Sequence, residues 1–195
     1  ADLQTSLDAQ LHLPAGYSIS YGGAYSEQQQ SFRELMMILS LAVLLVFAVL
    51  MFLFREWRIS LTVLFISVLG ICGCLLALWL TGVPLNVSSY TGIIMVVGII
   101  AENAIFTVWQ YRMNRRTGGD VSEAVDYAIA LRIRPKLMTA IGAVLALMPL
   151  ALGIGLGAQM QQPLAVAVIG GFIVGLPLLL LVLPSIMLLI YKKSK

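Results

Sequence analysis

The sequence predicts an all-α integral membrane helical bundle. We expect five transmembrane helices, a short amphipathic cytoplasmic helix and a short β segment near the N-terminus. Hydrophobic residues make up 60% of the 195 residues and charged residues only 11%, whereas a soluble domain carries about 25% charged residues. The apolar residues are gathered in five long runs, and the basic residues are gathered between alternate runs. Lipid is therefore the expected solvent for most of the chain.

The N-terminal 30 residues are polar and differ from everything that follows. Residues 17–21 alternate in polarity between Pro14 and the Gly22-Gly23 pair, which predicts one short strand. A lone strand cannot bury itself. We therefore expect residues 1–30 to be the end of a periplasmic, porter-like subdomain and its linker, within a longer polypeptide.

Residues 31–195 are predicted to form the transmembrane domain. The first apolar run has 23 residues and would form a helix of about 35 Å, enough to cross a hydrocarbon core of about 30 Å. Charged residues or a Gly-Val-Pro turn separate the later runs. The predicted spans are residues 32–54, 59–80, 86–111, 137–156 and 164–191.

A polar segment between the third and fourth spans contains a second helical pattern, at residues 120–133. Asp120 and Glu123 have the spacing of a helix-capping pair. Apolar residues then recur at helical intervals: Val121, Ala124, Val125, Ala128 and Leu131. We expect an amphipathic helix lying along the membrane surface; the alternative is an ordinary solvated connector helix.

The basic residues predict the orientation of the chain. Eleven of the 12 lie in the loop after span one, in the segment after span three, or in the C-terminal tail, and the two opposite loops contain none. The positive-inside rule places these eleven in the cytoplasm and residues 1–30 in the periplasm. Membrane topology explains their placement, so we expect no nucleic-acid partner.

Enzyme and metal sites have little support in the sequence. Cys72 and Cys74 lie about 200° apart on a helix, so they cannot form a disulfide with each other. The only histidine, His12, lies in the polar head, and the chain has no metalloprotease or phosphate-loop motif. We expect no catalytic residue, no resident metal and no cofactor.

Small residues predict close helix packing. Gly171 and Gly175 are separated by one helical turn in the fifth span, and this spacing allows two helix backbones to approach closely in lipid. We interpret both as packing residues rather than as part of a site.

Glu102 is the one charged residue inside the third span. An acid at the centre of a membrane helix costs about 2.5–3.5 kcal/mol on insertion scales, so it needs compensation from its neighbours. Ser88, Thr91 and Gly98 lie on the same helix face, with Met95, and we expect this stripe to face inward. A carboxyl group there can bind and release protons; the alternative is a structural acid held by a partner outside this chain.

Several motifs together resemble the resistance–nodulation–division (RND) efflux permeases. The run GIIMVVGIIAENAI at residues 92–105 resembles one family signature, and RIRPKLMT at residues 132–139 resembles another. Further matching segments follow in the family's order: LPAGY at residues 13–17, MPLA at 148–151, QPLA at 162–165 and Gly170-Gly171. The resemblance covers nearly the whole chain.

The resemblance implies that the chain contains helices eight to twelve of twelve, the C-terminal transmembrane half. Family members are homotrimers of the bacterial inner membrane that export substrates against proton influx, often with a periplasmic adaptor and an outer-membrane channel. Their relay aspartates lie on the fourth helix, in the N-terminal half. The residues that complete the relay match Glu102, with its neighbour Asn103, Arg132 and Thr139 here.

One departure from the family pattern affects the expected cargo. Drug-exporting members usually carry a lysine at the position of Glu102, and an acid there reverses the electrostatics that face the aspartates. The sequence thus leaves export of metal ions or of small molecules open. A related protein-translocation or lipid-trafficking component, or a structural membrane subunit without a transport cycle, are alternatives.

Overall fold

A computed structural model describes residues 24–118 and 120–192, with side chains for 31–118 and 120–191. These residues form five α-helices and no strand. Each helix is long and apolar enough to cross a membrane, which confirms the predicted all-α five-span architecture. The predicted strand at residues 17–21 lies outside the described residues. The helices are α1 Ala24–Phe54, α2 Trp57–Thr81, α3 Val87–Arg116, α4 Val121–Ala151 and α5 Ala158–Lys192.

The main correction concerns the predicted amphipathic helix at residues 120–133. It is not separate, because α4 runs unbroken from Val121 to Ala151 and includes Pro135. Four of its five predicted apolar positions are buried in the core of the described helices, and only Leu131 is exposed. The segment therefore packs against its neighbours, and the helix continues past Pro135 at the loss of one backbone hydrogen bond.

Several other helix ends differ from the prediction, and α3 ends at Arg116 rather than at residue 111. Helix α1 begins at Ala24, so part of the expected linker is helical. Helix α4 ends at Ala151, and α5 begins at Ala158 and includes Pro163 in its second turn. Asp120 does occupy the N-cap of α4, but its carboxylate accepts from the Ser122 hydroxyl at 3.1 Å and makes no capping bond.

The centre of the bundle consists of α2, α3 and α5. In the most apolar 18-residue stretch of each helix, 56% of the residues are buried in α5, against 11% in α1 and 6% in α4. Helix α5 packs along α2, α3 and α4, while α1 packs beside α2 and α3. Helices α1 and α4 thus flank a tight core of three helices.

Glycines bring α2 and α5 into backbone contact. A Cβ added at Gly73 would lie 2.6 Å from Val174 Cβ and 2.9 Å from the carbonyl oxygen of Gly170. The two glycines of the predicted small-residue pair face α3, where a Cβ at Gly171 would lie 2.5 Å from Val96 Cγ2. A Cβ at Gly175 would lie 2.9 Å from Ile100 Cδ1. Side chains at these positions would separate the helices.

The connections fix where α3 and α5 start. Asn86 and Ser89 form a reciprocal capping box at the start of α3, with Ser89 N donating to Asn86 Oδ1 at 3.1 Å. Between α4 and α5, three glycines with positive φ angles make a tight turn. Gln162 Nε2 then donates to the Ala151 carbonyl oxygen at 2.9 Å. This bond satisfies a carbonyl at the end of α4 and holds the two helices in register.

Candidate functional site

Glu102 lies near the middle of α3, on the face that the other four helices leave exposed. Its carboxylate has no hydrogen bond or ion pair within the part of the chain that the structure describes. It borders two cavities, one toward α4 and α5 and one toward α1. The Glu102 carboxylate can therefore be reached from both sides of α3.

The first cavity has a volume of about 360 Å³ and lies between α3, α4 and α5. It brings together all four residues that the sequence singled out for a proton relay, two from α3 and two from α4. The polar side chains in its lining are Glu102, Asn103, Arg132, Lys136 and Thr139. Apolar side chains complete the wall, including Phe106 from α3 and Phe172 from α5.

Arg132 enters this cavity from α4. Its guanidinium carbon lies 4.9 Å from the centre of the Phe106 ring, a distance typical of a cation–π contact. Its Nε atom is buried and has no hydrogen-bond partner among the described residues. Buried polar atoms normally have partners, so Arg132 is a donor that an incoming group can satisfy.

Lys136 is the functional candidate that sequence reasoning missed. Its side chain is only 5% exposed, and its Nζ donates to Thr107 Oγ1 at 2.6 Å. The Thr107 hydroxyl in turn donates to the Asn103 carbonyl oxygen at 2.8 Å. The positive-inside argument groups Lys136 with the basic residues after span three, but positions 132, 136 and 139 share one face of a continuous helix. That spacing is the signal that could have found it.

Asn103 and Thr139 are held by their own helices. Asn103 Nδ2 donates to the Ile99 carbonyl oxygen at 2.9 Å. The Thr139 hydroxyl lies 3.1 Å from the Pro135 carbonyl oxygen and 3.0 Å from that of Lys136. Both side chains thus line the cavity without bonding across it.

The predicted inward stripe lies on the outer face of α3 in the described bundle. Thr91 and Gly98 are exposed, and no heavy atom lies within 4 Å of a Cβ added at Gly98. Thr91 bonds only within its own helix, whereas Ser88 Oγ donates to the Met160 carbonyl oxygen of α5 at 2.9 Å. The stripe does not face the interior of the five described helices, and its inward orientation in a larger protein stays a prediction.

The second cavity, of about 430 Å³, lies between α1 and α3. Its lining is apolar except for Glu102, with Leu45 and Val49 from α1 opposite Gly98 and Ile105 from α3. Glu102 is thus the polar boundary between an apolar cleft and a cationic cavity. One acid and two cations share the lining of the first cavity, and Coulomb interactions there are stronger than in water because the surroundings are apolar.

The fold and these cavities define a segment of a multi-pass membrane protein with ionisable side chains in its interior. Residues 1–191 match the model of the AcrB/AcrD/AcrF family. The chain belongs to this family, and the resemblance to the RND permeases is confirmed.

Relatives with known roles match across the chain. It is 33% identical over 194 residues to the cobalt-zinc-cadmium resistance protein CzcA of Cupriavidus metallidurans, covering 100% of this chain and 18% of that protein. It is 36% identical over 181 residues to the multidrug resistance protein MdtC of Erwinia tasmaniensis, covering 91% of this chain and 18% of MdtC. The chain therefore spans about a fifth of the length of these relatives.

A solved structure has the same fold. The crystal structure of a heavy metal efflux pump superimposes with a TM-score of 0.77 at 34% sequence identity, over 98% of this chain and 19% of the pump chain. The five-helix arrangement is therefore one that occurs within a larger membrane protein.

Proposed function

We propose that this chain is the C-terminal transmembrane part of a proton-driven efflux transporter. The observation that carries the proposal is the first cavity, in which Glu102, an acid without a partner among the described residues, shares a lining with Arg132 and Lys136. Ionisable groups are costly inside a membrane, and those that occur there often serve ion or proton pathways. The proposed relay residues are Glu102, Asn103, Arg132, Lys136 and Thr139.

Protonation of Glu102 would change the forces between α3 and α4. The ionised carboxylate attracts the two cations on α4 across a cavity of low polarity, and the neutral carboxyl does not. The apolar stretch of α4 is the least buried of the five, so few contacts within the described helices hold that part of α4 in place. Protonation of Glu102 would thereby move α4 relative to α3 and α5.

The two cations also need counter-charges, because a buried ammonium or guanidinium without an anion is unfavourable. The family resemblance supplies them as a pair of aspartates on the fourth helix of the N-terminal half. In the proposed cycle, these aspartates and Glu102 exchange protons and compete for Arg132 and Lys136. The energy source is the proton-motive force, with no cofactor.

For the cargo we propose divalent transition-metal ions. CzcA is named for cobalt, zinc and cadmium resistance, the matching crystal structure is of a heavy metal efflux pump, and Glu102 replaces the lysine usual in drug exporters. Small organic molecules are the second candidate, because MdtC is a multidrug resistance protein.

The proposed setting is the bacterial inner membrane, with residues 1–30 in the periplasm and the C-terminus in the cytoplasm. The proposed partners are the N-terminal half of the same permease, two further copies in a homotrimer, a periplasmic adaptor and an outer-membrane channel. These partners and the lipid bilayer would cover the exposed faces of α1, α3 and α4.

The test uses the full-length permease in proteoliposomes with an imposed pH gradient. A zinc-sensitive dye and a pH-sensitive dye report cargo movement and proton movement in the same vesicles. We expect zinc-dependent proton flux, and zinc movement that an uncoupler abolishes by collapsing the pH gradient. Proton flux that responds to an organic cation but not to zinc would show that the cargo is organic rather than a metal ion. Cargo movement that is insensitive to the uncoupler would contradict proton coupling.

A further inference from the structure

A further pocket lies where the turn between α1 and α2 meets the end of α5. It has a volume of about 290 Å³ and is lined by Arg55, Glu56, Trp57, Arg58, Ile190 and Tyr191. Arg55, Trp57 and Arg58 are exposed. Two guanidinium groups therefore border one small pocket at the end of two membrane-length helices.

The single acid in this pocket is already engaged. Glu56 Oε2 accepts from the Tyr191 hydroxyl at 2.7 Å, and Glu56 Oε1 lies 3.5 Å from Arg112. The same Arg112 donates to the carbonyl oxygens of Leu53 and Phe54 at the end of α1. The negative charge of Glu56 is thus neutralised by Arg112, which leaves Arg55 and Arg58 without an acidic partner among the described residues.

The backbone adds further positive potential. Glu56 is the N-cap of α2, but its carboxylate makes no hydrogen bond to the helix. The first amides of α2 therefore have no side-chain cap, and the helix dipole is positive at this end. Together with the two guanidinium groups, these amides favour an anion in the pocket.

Arg55 occupies a backbone conformation that arginine rarely adopts. Its φ is 53°, in the left-handed region, where a residue with a Cβ is disfavoured and glycine is the usual choice after a helix. A glycine would make the same turn with less strain. Arg55 thus carries a backbone cost that a glycine would not, and a strained residue of this kind is a candidate for a functional side chain.

The surface beside the pocket identifies the source of the anion. Phe52 is 81% exposed and Trp57 is 59% exposed, so large apolar side chains extend outward next to the two arginines. Tryptophan at the end of a membrane helix favours the headgroup level of the bilayer. A lipid anion bound here would place its acyl chains along Phe52 and its charged headgroup beside Arg55 and Arg58.

We propose that this pocket binds the phosphate headgroup of an anionic phospholipid. The guanidinium groups of Arg55 and Arg58 and the uncapped amides of α2 hold the phosphate, and Trp57 packs against the glycerol region. The site is independent of the proposed proton relay, since none of its residues lines either cavity around Glu102.

The experiment measures lipid binding to the full-length permease by native mass spectrometry. The purified protein is titrated with phosphatidylglycerol, with phosphatidylcholine and with inorganic phosphate. We expect phosphatidylglycerol to bind at least about tenfold more tightly than phosphatidylcholine, which carries no net charge, and inorganic phosphate not to displace it. A basic side chain at an anionic membrane surface contributes roughly fivefold in affinity, so R55Q/R58Q should weaken binding roughly thirtyfold.

The matched control is R116Q/R134Q, which removes two exposed arginines outside the pocket and changes the net charge equally. It should change the affinity by less than about threefold. R55K/R58K keeps the charge and should keep most of the binding. R55G relieves the backbone strain, so it should keep or raise the melting temperature while weakening lipid binding.

Three results would overturn the proposal. Equal losses in R55Q/R58Q and R116Q/R134Q would show a general effect of surface charge. Displacement of the lipid by inorganic phosphate would make the pocket a site for a free anion. Unchanged binding in R55G, with the protein folded, would remove Arg55 from the site.

Discussion

At the scale of single residues, the site depends on how each charged side chain is satisfied. Lys136 is nearly fully buried and has one hydroxyl partner, Thr107. Glu102 has no partner in the described chain, and Arg132 has a cation–π contact and an unpaired Nε. The charges of these side chains lack a full set of hydrogen-bond and ion-pair partners within the five helices. Groups from another part of the protein can therefore bind to them.

The bond between Lys136 and Thr107 gives the residue-scale prediction. Thr107→Val keeps the shape of the side chain and removes the only acceptor described for Lys136 Nζ, so a buried charged donor loses its partner. We expect the free energy of unfolding to fall by about 1–3 kcal/mol and transport to fall with it, measured on the full-length protein by thermal unfolding and proteoliposome flux.

Thr81→Val is the matched control. Thr81 is exposed and bonds only to carbonyls of its own helix, so its loss should have little effect on either measurement. If Thr107→Val were equally harmless, the hydrogen bond would not be needed to hold Lys136.

Some of these site residues can be identified from the sequence alone, and others cannot. Glu102 was evident because it is the one charge in a long apolar run. Lys136 was not, because Pro135 and the nearby arginines indicated a loop and the usual effect of proline is to end a helix. The helix nevertheless continues through Pro135, and the apolar face of residues 121–128 is buried in the core, which is known only once the helices have packed.

At the scale of helices, the bundle combines a tightly packed core with a relay helix whose apolar part is largely exposed within the described residues. Glycines seat α5 directly against α2 and α3, whereas little of the apolar part of α4 is buried. Rigid packing of α2, α3 and α5 would fix the position of Glu102. Arg132, Lys136 and Thr139 would move together with α4, and such a movement would break the bond from Lys136 to Thr107 of α3.

The glycine contacts give the prediction at this scale. Gly73→Ala places a Cβ 2.6 Å from Val174 Cβ and 2.9 Å from a backbone oxygen, which cannot rotate away. Overpacking of this kind costs about 1–3 kcal/mol, which thermal unfolding of the full-length permease would detect. A destabilised variant should also lose transport in proportion to the folded protein lost.

Gly142→Ala serves as its control on α4. No heavy atom of the described chain lies within 4 Å of a Cβ at Gly142, and alanine favours a helix over glycine by up to about 1 kcal/mol. It should be neutral or slightly stabilising. Equal destabilisation by both changes would mean that the close approach of α2 and α5 at Gly73 is not the cause of the stability loss.

The five-span architecture itself was predictable because hydrophobic length and charge placement determine it locally. Helix ends were predicted less well. Helix α5 begins six residues before the predicted boundary, and the bond from Gln162 to Ala151 that joins it to α4 links residues 11 apart in sequence. Such contacts form only once the helices have packed.

At the scale of the whole molecule, the described helices are one part of a larger assembly. The chain spans about a fifth of its relatives, and the α3 face that carries Thr91, Gly98 and Glu102 is uncovered within the described residues. In the proposed permease, the N-terminal half covers this face and supplies the aspartates that alternate with Glu102 in pairing with the α4 cations.

The most direct test compares Glu102→Gln with Glu102→Asp in the full-length permease, reconstituted at equal amounts with assembly checked by size-exclusion chromatography. Glutamine is nearly the same size as glutamate but cannot exchange a proton. We expect cargo-dependent proton flux to fall at least about tenfold in Glu102→Gln, the lower end of what general acid–base groups contribute, and to persist in part in Glu102→Asp. Unchanged proton flux in a correctly assembled Glu102→Gln protein would contradict the role of Glu102 in the relay.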